Sequence, residues 1–207
     1  MILPIVAIGD LVLKARAKNL PADLPADELQ QLVQDMYETM YSAHGVGLAA
    51  PQIGRSVRLF VIDSGPMVTP DEDDEEEPVE VAAPAEIAEI PVKQAFINPQ
   101  MVSETGEEWG FEEGCLSIPG IRELVHRPPH IVLRYEDENR QTFEESFTGM
   151  AARIIQHEYD HLEGILFTDK LSGFKKQLLK GKIARISKGD VKHEYRMKFP
   201  APAGGRR

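Results

Sequence analysis

The chain has 207 residues, 42% of them hydrophobic, which is enough to bury the core of one domain. Its formal net charge is −11 at pH 7, and its one cysteine excludes an internal disulfide bond and therefore a disulfide-stabilised secreted scaffold. The apolar start is short and lacks a basic leader, so we expect no signal peptide, no membrane span and a cytoplasmic location.

The first predicted element is an amphipathic helix over residues 27–43. Apolar side chains recur there at helical spacing and are interpreted as core, and Gly45 follows the end of the helix. A loop from Gly45 to Gly54 comes next, and its glycines allow a ligand to approach the backbone closely. The loop lacks the Lys-Ser/Thr ending of a phosphate-binding loop, so it does not predict nucleotide binding.

Two β-rich runs, residues 57–62 and 94–98, are predicted strands, and Pro99 is expected to end the second. Between them, residues 71–90 contain ten acidic residues and no basic one, which accounts for nearly all of the net charge of −11. Charge repulsion and several prolines predict a solvated, mobile insert at about residues 64–91. A docking segment for a basic partner is the alternative interpretation.

Residues 102–109 are predicted to lead through a turn to Cys115. Glu113 lies just before this cysteine, and we expect Arg122 either to pair with Glu113 or to clamp a bound peptide. A hairpin over residues 131–147 then leads into a helix. Thr148 is the expected cap of that helix, which ends at Gly164.

This helix carries the pattern His-Glu-x-x-His. His157 and His161 lie one turn apart on one face and can hold one metal ion, with Glu158 beside it as a general base. Catalytic sites of this kind usually have three protein ligands and an open position. Because the acids after Glu163 do not lie in a convincing helix, Cys115 is the better candidate for the third ligand.

A C-terminal extension at about residues 171–207 combines a predicted basic amphipathic helix with a predicted strand over residues 191–199. The residues from 200 onward are expected to fray. The sequence contains no nucleic-acid-binding motif, so sequence-specific binding of nucleic acid is not expected.

Three blocks, residues 45–52 (GVGLAAPQ), 113–117 (EGCLS) and 156–164 (QHEYDHLEG), resemble the three motifs of the peptide deformylases in order and residue type. That family removes the formyl group from the starting methionine of new polypeptides. The resemblance implies a single α+β domain over residues 1–207. In such a domain, mixed and antiparallel β-sheets surround a central metal-binding helix, and an amphipathic helix lies near the N-terminus.

The resemblance also implies roles for individual residues. Cys115, His157 and His161 would hold one divalent metal ion, with Fe²⁺ expected and Zn²⁺, Ni²⁺ or Co²⁺ also able to bind. Glu158 would be the catalytic base. The Gln52 amide and the Leu116 N–H would donate hydrogen bonds to the substrate carbonyl oxygen. The remaining predicted residues would bind the N-formylmethionyl peptide: Gly45, Val46, Gly47, Gly114, Met150, Arg153 and Ile154. The basic extension would favour association with the ribosome near the exit tunnel.

The sequence is also compatible with three alternatives. The same helix also suits a metallopeptidase or another metalloamidase. Cys115 could instead be a nucleophile with His157 as its base, but Glu158 and His161 would then have no role. A structural metal module is the third alternative, although closed structural sites are usually richer in cysteine.

Overall fold

The computed structural model describes residues 1–68 and 90–201. Its helices and strands are, in chain order, β1 (Ile5–Val6), α1 (Ala26–Ser42), β2 (Gly47–Ala49), β3 (Leu59–Asp63), α2 (Gly65–Val68), β4 (Lys93–Thr105), β5 (Trp109–Gly114), β6 (Arg122–Arg127), β7 (His130–Glu136), β8 (Thr142–Thr148), α3 (Gly149–Leu162), α4 (Gly173–Ile186) and β9 (Met197–Lys198). The predicted α+β class is confirmed. Most of the acidic insert and residues 202–207 lie outside the described residues. Within those residues, no helix is long and apolar enough to cross a bilayer.

A five-stranded antiparallel sheet, in the order β2-β3-β4-β7-β8, forms the centre of the fold. Strand β3 is apolar on both faces because side chains alternate along a strand. Leu59 and Val61 pack with the apolar stripe of α1, whereas Phe60 and Ile62 pack with that of α3. The sheet therefore lies between two helices, and α3 is held against its second face.

A second, smaller sheet pairs β5 with β6 in antiparallel register, with Gly114 opposite Arg122. Strand β5 runs directly up to Cys115, so the predicted turn lies earlier than expected, at residues 106–108 between β4 and β5. A further pair joins β1 and β9 in parallel and brings the C-terminal extension against the start of the chain.

Three other predictions were wrong in detail. Strand β4 continues past Pro99 through a register shift between Ile97 and Gln100, and such an irregularity accommodates the missing N–H of proline. Only two residues of the predicted strand 191–199 pair, those of β9. The short helix α2 occupies the beginning of the predicted insert, and Ser64 just before it is fully buried.

The helix predicted over residues 27–43, the one predicted between Thr148 and Gly164 and the basic helix predicted in the C-terminal extension are present as α1, α3 and α4. Thr148 is the residue that caps α3, but its side chain makes no capping hydrogen bond. In α4, Phe174 and Leu178 are exposed, and Leu179 and Ile183 are partly buried against the core. The apolar residues of α4 are therefore divided between the core and solvent.

Candidate metal centre

Three potential ligands from two separate parts of the chain meet near the C-terminal end of β5. Cys115 follows β5, and His157 and His161 lie one turn apart on α3. One ligand atom from each residue lies within 4.8 Å of the other two, and Cys115 Sγ is 3.3 Å from His161 Nε2. The structure thus brings together the three residues that were predicted from the sequence as metal ligands.

His157 is oriented from behind by a carboxylate. Its Nδ1 lies 3.0 Å from Glu113 Oε2, so its other ring nitrogen is available to the metal centre. Burial opposes a charge on Glu113, but hydrogen bonds donated by Arg127 and by His157 hold the pKa of this carboxyl well below its usual range. Glu113 therefore stays ionised and fixes the ring of His157.

Glu113 belongs to a buried group of ion pairs, which we call the ion-pair cluster: Glu113, Arg127, Arg153 and Asp160. Arg127 donates two hydrogen bonds to Glu113, at 2.7 and 2.9 Å, and a third to Asp160 at 2.7 Å. Arg153 donates to Glu113 at 2.7 Å and lies over the ring of Trp109, 4.1 Å from its centroid. The cluster links the β5–β6 sheet to α3.

The predicted pairing of Glu113 with Arg122 was wrong. Arg122 instead donates to the carbonyl oxygen of Glu112. Side chains alternate across a strand, and the register places Arg122 opposite Gly114 and Glu123 opposite Glu113. Arg122 therefore lies on the other face of the sheet, while Arg127 shares a face with Glu113.

Glu158 is buried beside the potential ligands and is tightly enclosed. Its Oε2 has no hydrogen-bond partner in the part of the chain that the structure describes. A Cβ atom built on Gly47 would overlap Glu158 Oε1 and lie 2.9 Å from Cδ, so only glycine leaves room for this carboxylate. Burial raises the pKa of Glu158 to about 7, a value suited to proton transfer near neutral pH.

The side-chain amide of Gln52 has a fixed direction. Its Oε1 accepts a hydrogen bond from the Ala49 N–H at 2.7 Å, which turns Nε2 towards Cys115 Sγ and Ser117 Oγ, each 3.5 Å away. Gln52 is almost fully buried on a short 3₁₀ helix, Ala50–Ile53. A preoriented N–H donor therefore points into the metal centre.

A cavity of about 970 Å³ opens in front of these groups. Gln52, Leu116 and the potential ligands Cys115 and His157 line this cavity. It is also lined by every residue predicted to bind the peptide: Gly45, Val46, Gly47, Gly114, Met150, Arg153 and Ile154. His161 lies behind this lining and is nearly inaccessible. The cavity combines apolar walls with a polar end, as is usual for small-ligand sites.

The residues present fit a divalent transition-metal ion. One thiol and two imidazoles converge, and such a donor set suits zinc, iron, cobalt or nickel. The buried Oε2 of Glu158, which has no hydrogen-bond partner among residues 1–68 and 90–201, also indicates that a further polar group belongs at this position.

Comparison with known proteins decides the family. The family profile described as polypeptide deformylase matches residues 2–177. The chain belongs to the polypeptide deformylase family. A peptide deformylase from Christiangramia forsetii is 54% identical over 200 residues, with 97% of each chain covered. One from Cytophaga hutchinsonii is 50% identical over 97% of this chain and 98% of that protein.

Solved deformylase structures agree with this fold. The crystal structure of a peptide deformylase from Legionella pneumophila has a TM-score of 0.71 and 36% identity, covering 91% of this chain and 96% of that one. A plant peptide deformylase has a TM-score of 0.74 and 32% identity, covering 90% of each chain.

Sequence reasoning missed the partners of Glu113 and one residue of the C-terminal extension. In β6, Val125 and Arg127 are buried and point inward together, but the apolar Leu124 next to Val125 is exposed, so the sequence has no clear alternation that selects Arg127. Tyr195, whose hydroxyl donates to the carbonyl oxygen of Leu116 at 2.7 Å, gave no signal in the sequence.

Proposed function

We propose that this chain is a metal-dependent hydrolase that removes the formyl group from the N-terminal methionine of new polypeptides. The observation that carries the proposal is the convergence of Cys115, His157 and His161 beside a buried glutamate, in a chain of the polypeptide deformylase family. Cys115, His157 and His161 would hold one divalent ion. Such an ion supplies a Lewis acid, which polarises a carbonyl group and acidifies water.

In the proposed reaction, water adds to the formyl carbon and the bond from that carbon to the peptide nitrogen breaks. Glu158 takes the proton of the attacking water and then donates a proton to the departing amine. The products are formate and a peptide with a free amino group. The tight enclosure of Glu158 by Gly47 keeps its carboxylate in place for both transfers.

Negative charge develops on the formyl oxygen during this reaction. The Gln52 Nε2, directed by the contact of Oε1 with Ala49, would donate a hydrogen bond to that oxygen, and so would the backbone N–H of Leu116. Removing one such donor typically slows catalysis by about 100- to 1,000-fold.

The methionine side chain would enter the apolar part of the cavity. Val46, Met150, Ile154 and the stem of Arg153 line that part, whereas the Arg153 guanidinium is held in the ion-pair cluster. The peptide backbone would pair with residues 45–47, because β2 lies at an edge of the five-stranded sheet. Gly114, at the end of β5, offers a second backbone contact.

Three finer assignments also belong to this proposal. We assign Fe²⁺ as the native ion, and oxidation of the Cys115 thiolate would then make the enzyme sensitive to air. The nascent substrate supports a cytoplasmic location and association with the ribosome through α4. In this helix, Lys175 is already paired with Glu123 at 2.6 Å and Arg185 with Asp190 at 2.7 Å, so only part of its charge is available to RNA.

Formate release from formyl-Met-Ala-Ser tests the function, with protein purified without oxygen and loaded with Fe²⁺. We expect release by the wild type and a loss of about 100- to 10,000-fold in kcat for Glu158→Gln, which removes the base. One metal ion per chain should remain bound in the variant. Cleavage of internal peptide bonds without formate release would instead support the metallopeptidase alternative.

A further inference from the structure

The loop that follows Cys115 is held by donors from two distant parts of the chain. The carbonyl oxygen of Ser117 accepts from the Ile8 N–H at 2.9 Å. The carbonyl oxygen of Leu116 accepts from the Tyr195 hydroxyl at 2.7 Å. The second contact depends on a single side-chain oxygen, so it can be removed without changing the backbone.

Tyr195 is well placed to act as a fixed donor. It lies two residues before β9, whose Met197 pairs with Ile5 of β1. The Arg196 carbonyl oxygen also accepts from the Ile5 N–H at 2.8 Å. The Tyr195 ring is half-buried against the core cluster that contains α1. Backbone pairing on one side and ring packing on the other therefore hold the hydroxyl in position.

The same segment forms part of the cavity wall. Residues 191–195 line the cavity together with Gly45, Gly114 and Leu116. The C-terminal extension thus meets the candidate active site, and Tyr195 connects the two.

We propose that Tyr195 is a positioning residue. By fixing the Leu116 carbonyl group, it would hold the backbone of Leu116, and with it the Leu116 N–H in the preceding peptide group beside Cys115, in the geometry that the reaction requires. The inference rests on the proposed function, in which the Leu116 N–H donates to the formyl oxygen. Because this oxygen gains charge only as the reaction proceeds, loss of the Tyr195 contact should affect kcat and leave substrate binding unchanged.

The variant Tyr195→Phe removes the hydroxyl and keeps the ring. We expect kcat for formyl-Met-Ala-Ser to fall about 3- to 10-fold, the worth of one ordinary hydrogen bond, with KM unchanged. In the Zn²⁺-loaded protein, hydrogen exchange of the Leu116 and Ser117 amides, followed by NMR, should become faster by a similar factor. Tyr195→Leu, which also removes the ring, should have larger effects on both.

Tyr135→Phe is the matched control. Tyr135 is a buried tyrosine that contacts Gln94 and Glu145 through its hydroxyl, and it does not line the cavity. The variant Tyr135→Phe should be less stable than the wild type, with unchanged kcat and unchanged hydrogen exchange of the Leu116 amide. The inference is overturned if Tyr195→Phe retains wild-type kcat and exchange, or if only its KM changes. If the wild type releases no formate, the proposed function fails, and the exchange measurement still decides whether Tyr195 holds the loop.

Discussion

Two regions around α3 hold the candidate site by opposite means. The ion-pair cluster fixes His157 with buried charges, since Glu113 accepts from Arg127 and Arg153 and contacts the histidine ring. The glycine wall, formed by Gly45 and Gly47, fixes the other side by having no side chains, so that Leu116 and Glu158 can lie against the backbone. The first region is sensitive to loss of a group and the second to the addition of one.

The largest effect is expected from replacing Glu113, the central residue of the ion-pair cluster. Replacing it by alanine leaves Arg127 and Arg153 buried with too little negative charge, because both arginines are almost inaccessible. We expect the free energy of unfolding to fall by about 3 to 5 kcal/mol, as when one partner of a buried ion pair is removed. Denaturant unfolding of the metal-free protein measures this directly.

Glu112→Ala is the control for that experiment, because Glu112 lies on the same strand with an exposed side chain. It should change the free energy of unfolding by no more than about 0.5 kcal/mol. Equal losses in the two variants would show that the ion-pair cluster has no special role in stability.

In the glycine wall, the addition of a group is expected to do the damage, as in the variant Gly47→Ala. The added methyl group would overlap Glu158 and displace its carboxylate, and a misplacement of about 1 Å can cost about 100-fold in rate. We therefore expect kcat/KM for formyl-Met-Ala-Ser to fall about 100-fold while one metal ion per chain remains bound.

Gly181→Ala provides the comparison for this methyl group. Gly181 lies within α4, and a Cβ there meets no atom within 4 Å. The substitution should stabilise the protein by about 0.5 to 1 kcal/mol and leave kcat/KM unchanged. If Gly47→Ala were as active as Gly181→Ala, Glu158 would have more freedom than the structure indicates.

The two regions also differ in how far the sequence predicts them. Local periodicity predicts α1 and α3, and the His-Glu-x-x-His spacing places both histidines on one face without knowledge of the fold. The glycines near Gln52 could be assigned to the cavity through the family motifs. Each of these features depends on neighbouring residues in the chain.

The ion-pair cluster depends instead on strand register. Whether Arg122 or Arg127 shares a face with Glu113 is decided by the pairing of β5 with β6, and a shift of one residue would reverse the answer. The contact between Tyr195 and Leu116 joins residues 79 positions apart and follows from the pairing of β1 with β9. Such long-range arrangements have no local pattern that predicts them.

The smallest expected effect comes from an ion pair that lies outside both regions. Arg134 and Glu144 face each other across β7 and β8, with 2.6 Å between Arg134 Nη2 and Glu144 Oε2, but about half of each side chain is exposed. Water and salt screen this attraction, so Arg134→Ala should lower the free energy of unfolding by less than about 1 kcal/mol. Denaturant unfolding at low and high salt tests the expectation, since the small difference from the wild type should shrink as ionic strength rises. A loss as large as that of Glu113→Ala would mean that burial is not what distinguishes the ion-pair cluster from the surface.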